Sequence, residues 1–177
     1  MLSRSVIRSL KGHTATVRSL LIVDDTTLIS GSRDSTICIW DMDSDATDPK
    51  LVLKGHTKTV RCLKVHGGVL VSAGYDGESR VWDIYTGQCL RVLKGHTGTL
   101  FALCFDGSRI VTGSLDSTIR VWDSRSGFVV SLFISRRDSE LTRDPGLVWE
   151  FFRATAGLSP GYSYRGILSS LLIMLER

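Results

Sequence analysis

The sequence lacks any apolar run that is long enough to cross a bilayer. Its longest late apolar stretch, residues 171–175, is far shorter than the roughly 20 residues that a transmembrane helix needs. The first ten residues include Arg4 and Arg8 but no sustained apolar segment, so nothing there resembles a signal peptide. We therefore expect an intracellular protein, in the nucleus or the cytoplasm, with no membrane partner.

Closely spaced cysteine pairs are also absent. The four cysteines are scattered through strand-like segments, at Cys38, Cys62, Cys89 and Cys104. Because a zinc site needs ligands set close together, as in C-x-x-C, this spacing gives no metal site. Isolated cysteines of this kind are typical of small buried side chains in a reduced intracellular protein. We expect no metal and no cofactor.

The composition is that of a soluble globular protein, with 42% hydrophobic and 23% charged residues. The net charge is +4, but much of the basic content recurs at fixed places. One lysine precedes each Gly-His pair, and two arginines stand two residues before a Trp: Lys11, Lys54, Lys94, Arg80 and Arg120. Such recurrence indicates a repeat before it indicates a surface for nucleic acid.

A threefold repeat is the main positive feature of the sequence. A Gly-His pair is followed about twenty residues later by Asp, and six residues after that by Trp-Asp. The copies are Gly12-His13, Asp34 and Trp40-Asp41; Gly55-His56, Asp76 and Trp82-Asp83; and Gly95-His96, Asp116 and Trp122-Asp123. Successive tryptophans are 42 and 40 residues apart, which is the period of a four-stranded propeller blade.

Each copy contains four short strand patterns. In the second copy, strands are predicted at residues 60–65, 69–73 and 88–93, with Val81-Trp82 in a further strand between the last two. Turns at Gly67-Gly68, Asp76-Gly77 and Thr86-Gly87 separate them. A sheet of this size cannot cover both of its own faces, so neighbouring sheets must stack. We predict an all-β fold, an open propeller of about three four-stranded blades, with repeats at residues 10–51, 52–92 and 93–134.

The pattern resembles that of WD-repeat β-propellers. The resemblance implies a hydrogen-bonded relay in each blade, from the Gly-His histidine through a Ser or Thr to the turn Asp and the Trp. The matching residues are His13, Ser30, Asp34 and Trp40; His56, Ser72, Asp76 and Trp82; and His96, Thr112, Asp116 and Trp122. A buried carboxylate needs donors and an indole N–H needs an acceptor, so the set is chemically consistent.

Ser, His and Asp also form catalytic triads, which offers an enzymatic alternative. A nucleophilic site rests on one particular geometry, whereas this trio occurs in every copy. We therefore interpret the relay as structural and predict no enzymatic activity.

Two positions differ between copies and fall at the Gly-His end of each blade. The fifth residue after each histidine, at the start of the innermost strand, is Arg18, Arg61 or Phe101. The residue before each turn Asp is Arg33, Tyr75 or Leu115. Because the third copy has Phe and Leu, the fold does not require arginine there. We expect three arginines and a tyrosine to gather near the central opening of one face.

The segments around these positions resemble the F-box/WD-repeat substrate receptors of SCF ubiquitin ligases, above all those that read phosphorylated degrons. The segments are Thr16-Val17-Arg18, Gly31-Ser32-Arg33-Asp34, Thr59-Val60-Arg61-Cys62, Gly74-Tyr75-Asp76 and residues 85–96. The resemblance covers about residues 10–126. It implies that Arg18, Arg33 and Arg61, with Tyr75 beside them, bind a phosphothreonine and an acidic or second phosphorylated residue.

Other interpretations of the arginines and of the chain stay open. The arginines could pair with acidic neighbours or be solvated. A nucleic-acid surface is less favoured, because no row of aromatic stacking partners accompanies them. The chain could also be a generic WD-repeat scaffold for complex assembly, or a truncated product without independent function.

The copies also differ at positions away from this face. Ser79 stands where the other copies have Ile37 and Ile119, and Glu78 replaces Thr36 and Thr118. The first copy has a longer acidic connection, residues 41–50, which we expect to be a solvated turn on the opposite rim.

The repeat ends after Ser126-Gly127. A fourth Gly-His pair is due near residue 136, where the chain reads Ser135-Arg136-Arg137-Asp138. We expect residues 135–177 to be a non-repeat tail, disordered or with short helices at 147–156 and 167–175, and residues 1–9 to be the outer strand of a preceding blade.

Propellers typically have about four to eight blades, so three blades are expected to leave two sheet faces and their edges exposed. We expect a fragment of a longer receptor that lacks an F-box and reaches the ligase only through sequence missing from this chain.

Overall fold

Twelve short antiparallel strands make up the part of the chain that the structure describes. This computed structural model describes residues 8–134. The expected strand of a preceding blade therefore lies almost wholly outside the described residues, and so do the expected helices and tail of residues 135–177.

The strands form three separate four-stranded sheets, each in chain order. Blade 1 contains β1 (Val17–Ile22), β2 (Thr27–Ser32), β3 (Ile37–Asp41) and β4 (Leu51–Leu53). Blade 2 contains β5 (Val60–His66), β6 (Val69–Gly74), β7 (Ser79–Asp83) and β8 (Cys89–Leu93). Blade 3 contains β9 (Leu100–Phe105), β10 (Arg109–Ser114), β11 (Thr118–Asp123) and β12 (Val129–Ile134). The predicted fold class, an open partial propeller of four-stranded blades, is confirmed.

The blades stack through their faces, with the first strand of each blade innermost. Strand β5 contacts both β1 and β9, so the three inner strands line one side of the stack. Apolar residues fill the two boundaries between blades. The first boundary contains Ile29, Ile37, Ile39, Leu53, Val60, Leu63, Leu70, Trp82 and Ile84. The second contains Val71, Ala73, Val81, Leu93, Leu100, Leu103, Phe105, Ile110 and Trp122. Each of Trp82 and Trp122 thus packs against the preceding blade.

The two ends of the stack differ in exposure. Leu20 and Ile22, on the outer face of blade 1, are exposed, as expected for a face without a neighbour. Val111, Ile119 and Val121, on the outer face of blade 3, are buried. Only the face of blade 1 therefore fits the expectation of two exposed sheet faces.

All four cysteines lie in strands and are free thiols. Cys38 is buried, whereas Cys62, Cys89 and Cys104 are half-buried, so the expectation of buried thiols is right only for Cys38. Desolvation nevertheless raises the pKa of the Cys104 thiol to about 12, which makes a thiolate nucleophile unavailable near neutral pH.

Candidate functional site

The relay in blade 2 runs through four side chains. The Trp82 indole donates to the Ser72 hydroxyl oxygen at 2.9 Å, and that hydroxyl lies 2.7 Å from Nε2 of His56. Nδ1 of His56 lies 2.7 Å from the Asp76 carboxylate. Because a carboxylate only accepts, Nδ1–H donates to Asp76 and the Ser72 O–H donates to Nε2. Every polar atom along the path therefore has a partner.

Blades 1 and 3 repeat this geometry. In blade 1, Ser30 lies 2.8 Å from both the Trp40 indole nitrogen and His13, and His13 lies 2.9 Å from Asp34. In blade 3, Thr112 lies 2.8 Å from both the Trp122 indole nitrogen and His96, and His96 lies 2.8 Å from Asp116. The structure thus brings together all of the relay residues that the sequence singles out.

The relay aspartates also anchor the Gly-His loop to the turn between the second and third strands. The Asp116 carboxylate accepts the Thr97 N–H at 3.0 Å and the Thr118 hydroxyl at 2.6 Å. Burial alone raises the pKa of Asp116, but the bonds from Thr118, His96 and Thr97 outweigh it and hold that pKa well below its ordinary value of 3.8. The pKa of Asp34 is lowered in the same way against burial, by Thr36, Thr14 and His13. Each of these two aspartates is therefore ionised near neutral pH and holds the Gly-His loop against the turn.

The relay hydroxyls are poorly placed for nucleophilic attack. Ser72 and Thr112 are wholly buried and Ser30 is nearly so. Each also accepts a hydrogen bond from its Trp indole. A nucleophile must reach a substrate, so this geometry favours the structural interpretation.

The variable positions after each histidine are β-bulge residues. The register skips Arg18 between Val17↔Ser32 and Ser19↔Gly31. It skips Arg61 and Phe101 at the same place in β5 and β9. A bulge leaves one residue unpaired and redirects its side chain. The innermost strands thus present these three side chains outside the regular alternation of the sheet.

The positions before each turn aspartate lie next to these bulges. The backbone N–H groups of Arg33, Tyr75 and Leu115 donate to the carbonyls of Thr16, Thr59 and Thr99 at 2.9, 2.9 and 3.0 Å. Each acceptor stands two residues before a bulge residue. The structure therefore places Arg33 beside the start of β1 with Arg18, and Tyr75 beside the start of β5 with Arg61.

The three guanidinium groups have no anionic partner within residues 8–134. Arg18 and Arg33 are exposed and Arg61 is half-buried, and no hydrogen bond or ion pair in that range engages their guanidinium groups. Arg80 offers a contrast, because its guanidinium donates to Glu78 at 2.6 Å. Pairing with acidic neighbours, one of the alternatives for the arginines, is thus not seen in the described part of the chain.

Phe101 is a neighbour of the site that the sequence did not assign. Its ring lies 5.1 Å from that of Tyr75, centroid to centroid, across the boundary between blades 2 and 3. The Cys62 thiol also donates to the Phe101 carbonyl at 3.1 Å. The signal was available, since Phe101 occupies the same repeat position as Arg18 and Arg61. The site therefore has a cationic side on blades 1 and 2 and an aromatic side at blade 3.

The two rims of the stack differ in charge. We define the Gly-His rim as the three Gly-His loops, the three Asp turns and the bulge residues. Its free cations are Lys11, Arg18, Arg33, Lys54, Lys58 and Arg61. Its carboxylates are engaged, because the aspartates belong to relays and Glu78 binds Arg80 and Lys94. The opposite rim carries Asp24, Asp25, Asp41, Asp43, Asp45, Asp48, Asp83, Asp106 and Asp123.

Comparison with protein families agrees with the repeat. The family described as WD domain, G-beta repeat matches residues 4–41, 47–83 and 87–123, more than half of the chain.

Curated relatives include WD-repeat proteins with several different names. WD repeat-containing protein pop2 of Schizosaccharomyces pombe is 30% identical over 113 residues, covering 45% of this chain and 16% of the relative. F-box/WD repeat-containing protein sel-10 of Caenorhabditis elegans is 40% identical over 78 residues, covering 43% and 13%. Mitochondrial division protein 1 of Mycosarcoma maydis is 48% identical over 77 residues, covering 43% and 9%. The chain spans less than a fifth of the length of each of these relatives.

Proposed function

Because the chain belongs to the WD-repeat family, we propose that it is a protein-interaction module whose Gly-His rim binds a phosphorylated peptide. The observation that carries this proposal is a set of three guanidinium groups on the Gly-His rim, those of Arg18, Arg33 and Arg61, which have no partner within residues 8–134. The Tyr75 backbone lies beside the start of β5, where its N–H donates to the carbonyl of Thr59, two residues before Arg61. The chemistry is binding and not catalysis.

The chemistry of a phosphothreonine fits this arrangement. A phosphothreonine carries nearly two negative charges and three strong acceptor oxygens at neutral pH. Guanidinium groups stay charged and offer paired N–H donors that match those oxygens. Hydrogen bonds to charged groups contribute about 1.5–3 kcal/mol each. Three such groups on one rim therefore favour a phosphorylated or doubly acidic segment over a neutral one.

We further propose that the chain is part of a phosphodegron-reading substrate receptor of a cullin-type ubiquitin ligase. Support comes from the 40% identity to a relative named as an F-box/WD repeat-containing protein and from the Arg and Tyr positions on the Gly-His rim. The second candidate is a general WD-repeat scaffold. It is favoured by the 48% identity to a relative named as a mitochondrial division protein.

The test measures binding of the full chain to a doubly phosphorylated Thr-Pro peptide by fluorescence anisotropy. We expect Arg33→Ala and Arg61→Ala each to weaken binding by roughly ten- to hundredfold, at about 1.4 kcal/mol per tenfold change. Arg125→Ala is the matched control, because Arg125 is an exposed arginine on the opposite rim. The unphosphorylated peptide should bind far more weakly than the phosphorylated one.

Two outcomes decide between the candidates. Unchanged affinity in both rim variants, with the variants folded, contradicts phosphate reading at the Gly-His rim. Equal affinity for the phosphorylated and the unphosphorylated peptide supports the second candidate, a general WD-repeat scaffold. A cooperative thermal transition of the unmodified chain shows that the described blades fold, and its absence supports a product without independent function.

A further inference from the structure

Three contacts on the Gly-His rim connect blade 2 to blade 3. The rings of Tyr75 and Phe101 lie 5.1 Å apart, centroid to centroid. The Cys62 thiol donates to the Phe101 carbonyl at 3.1 Å, and the Lys94 ammonium pairs with the Glu78 carboxylate at 3.1 Å. An aromatic contact, a hydrogen bond and an ion pair therefore connect these two blades in addition to their shared apolar boundary.

The same repeat positions do not connect blade 1 to blade 2 within residues 8–134. Ser19 stands at the position of the donating thiol, and its buried hydroxyl has no hydrogen-bond partner in that range. Thr36 stands where blade 2 has its glutamate, but its hydroxyl donates within blade 1, to Asp34 at 2.6 Å. The matching lysine, Lys54, has no ion pair among these residues. The hydrogen bond and the ion pair are thus both missing from this boundary in the described part of the chain.

The third pair of positions carries two like charges at the boundary between blades 1 and 2. Arg33 and Arg61 occupy the positions of the two stacked rings, one before a turn aspartate and one at the bulge of the next blade. The repeat geometry places them on facing sides of this boundary. Neither guanidinium group has a partner within residues 8–134, and like charges repel each other. The rim therefore has repulsion here, where blades 2 and 3 have an aromatic contact.

Below the rim the two boundaries are alike, because apolar residues fill both of them. The difference between the boundaries is thus concentrated on the rim, where a ligand would bind. A phosphorylated side chain offers three acceptor oxygens and nearly two negative charges. Guanidinium groups bind such oxygens in pairs. One phosphate between the two arginines would neutralise both of them and supply the missing connection.

Resting on the phosphopeptide binding proposed above, we propose that Arg33 and Arg61 share one phosphate group, which connects blade 1 to blade 2. Ligand binding and the stacking of these two blades then stabilise each other. Because such coupling is reciprocal, any change that separates the blades weakens binding by the same factor. The contacts between blades 2 and 3 are present without a ligand, so stacking of blade 3 is independent of binding.

The first test measures whether the two arginines hold the same group. Affinity of the full chain for the doubly phosphorylated Thr-Pro peptide is compared for Arg33→Gln, Arg61→Gln and the double variant. A shared phosphate is no longer held in place once one guanidinium is removed, so removing the second should cost at least about tenfold less affinity than removing it alone. Arg125→Gln combined with Arg33→Gln is the control and should be additive, because Arg125 lies on the opposite rim. Additive losses for Arg33 and Arg61 overturn the proposal.

The second test measures amide hydrogen exchange of the full chain with and without the peptide, at about 100 times the Kd. Detachment of blade 1 from blade 2 breaks a shared site, whereas detachment of blade 3 leaves that site whole. Exchange of the β2 and β3 amides through detachment of blade 1 should therefore slow by up to about 100-fold. Exchange of the β10 and β11 amides through detachment of blade 3 should stay unchanged. Equal slowing in blades 1 and 3, or no slowing in blade 1, overturns the proposal even if the peptide binds.

The proposed function and the shared phosphate fail in different ways. A chain that does not fold, or a folded chain that does not bind the phosphorylated peptide, contradicts both. Binding that depends on Arg33 and Arg61 additively, without slower exchange in blade 1, keeps the proposed function and contradicts only the shared phosphate. If circular dichroism shows that Arg61→Gln is unfolded, Arg61→Lys replaces it in the cycle, because lysine keeps the charge but lacks the paired donors.

Discussion

Two serines of blade 2 are equally buried but differ in what their hydroxyl groups contact. Ser72 joins the Trp82 indole to His56 and is 0% exposed. Ser79 is 1% exposed, and its hydroxyl has no hydrogen-bond partner among residues 8–134. It stands where the other blades have Ile37 and Ile119. The same chemical group is thus expected to stabilise the blade at one position and to destabilise it at the other.

Replacing Ser72 tests the relay at the level of one atom. Ser72→Ala leaves the Trp82 N–H and Nε2 of His56 buried without partners, so we expect the free energy of unfolding to fall by about 2–4 kcal/mol. Urea denaturation followed by circular dichroism measures the change. Ser72→Thr should keep most of the stability, because Thr112 makes the same bonds in blade 3. Ser79→Ala is the control, and it should raise the free energy of unfolding by about 1 kcal/mol because it removes a buried hydroxyl without a partner. Equal losses of stability in Ser72→Ala and Ser79→Ala contradict this account.

The relay aspartates make stability depend on pH in the acid range. The pKa of Asp116 in the folded protein lies well below 3.8, so its stabilisation is present above 3.8 and is lost as the pH falls below that value. The pKa of His96 is lowered from 6.5 mainly by burial, which Asp116 only partly offsets. The unfolded chain therefore takes up a proton there first, and stability also falls as the pH drops below 6.5. Both effects have the same sign.

Asp116→Asn removes the part of the pH dependence of folding stability that comes from the Asp116 carboxylate. We expect this variant to be less stable at about pH 7 and to lose less stability than the unmodified chain between about pH 4 and pH 3. The comparison uses urea midpoints at each pH. Asp25→Asn, at an exposed position on the opposite rim, is the control. If the urea midpoints of Asp116→Asn and of the unmodified chain fall equally between about pH 4 and pH 3, the charged Asp116 carboxylate does not stabilise the folded state.

At the scale of strands and turns, local patterns were sufficient to predict most of the architecture. The predicted strands of the second copy, residues 60–65 and 69–73, correspond to β5 and β6 within a residue. Alternation and glycine turns encode such elements locally. The bulges at Arg18, Arg61 and Phe101 could not be predicted in this way, because a bulge is a property of the register between two strands. The contact of Tyr75 with Phe101 was missed for a similar reason, since it joins two blades.

The turn after each relay aspartate has the same backbone conformation in all three blades but not the same residue. Ser35, Gly77 and Ser117 have φ values of 69°, 79° and 63°. We expect Gly77→Ala to lower the free energy of unfolding by about 1–2 kcal/mol, because an added Cβ would also lie 3.1 Å from the Gly98 carbonyl oxygen. Ser117→Gly should be neutral or raise stability by up to about 1 kcal/mol. Urea midpoints of the two variants measure the difference, and a stabilised Gly77→Ala contradicts the strain argument.

On the scale of the whole molecule, the fold separates charge between its two rims. The antiparallel strands carry the chain from one rim to the other at every turn. Six lysines and arginines without a partner in residues 8–134 lie on the Gly-His rim, whereas the opposite rim carries nine aspartates together with Arg125. The acidic connection of residues 41–50 and the aspartates of the other turns lie on the opposite rim. The resulting field should draw an acidic ligand toward the Gly-His rim before any contact forms, because long-range charge acts on the rate of encounter.

Rim charge should therefore change the association rate more than the lifetime of the complex. We expect the double variant Lys54→Gln/Lys58→Gln to slow association of the doubly phosphorylated peptide by about 2- to 10-fold at low salt, with little change in dissociation. Both lysines are exposed and belong to the Gly-His loop of blade 2, outside the bulge at Arg61. The effect should fade as salt rises to about 0.15 M or more, where the Debye length is about 8 Å. Stopped-flow fluorescence over a salt series measures both rates. Asp43→Asn/Asp45→Asn, on the opposite rim, removes two charges of the opposite sign and should speed association only slightly. If it speeds association by as large a factor as the lysine variant slows it, then net charge controls the encounter and its separation between the rims does not.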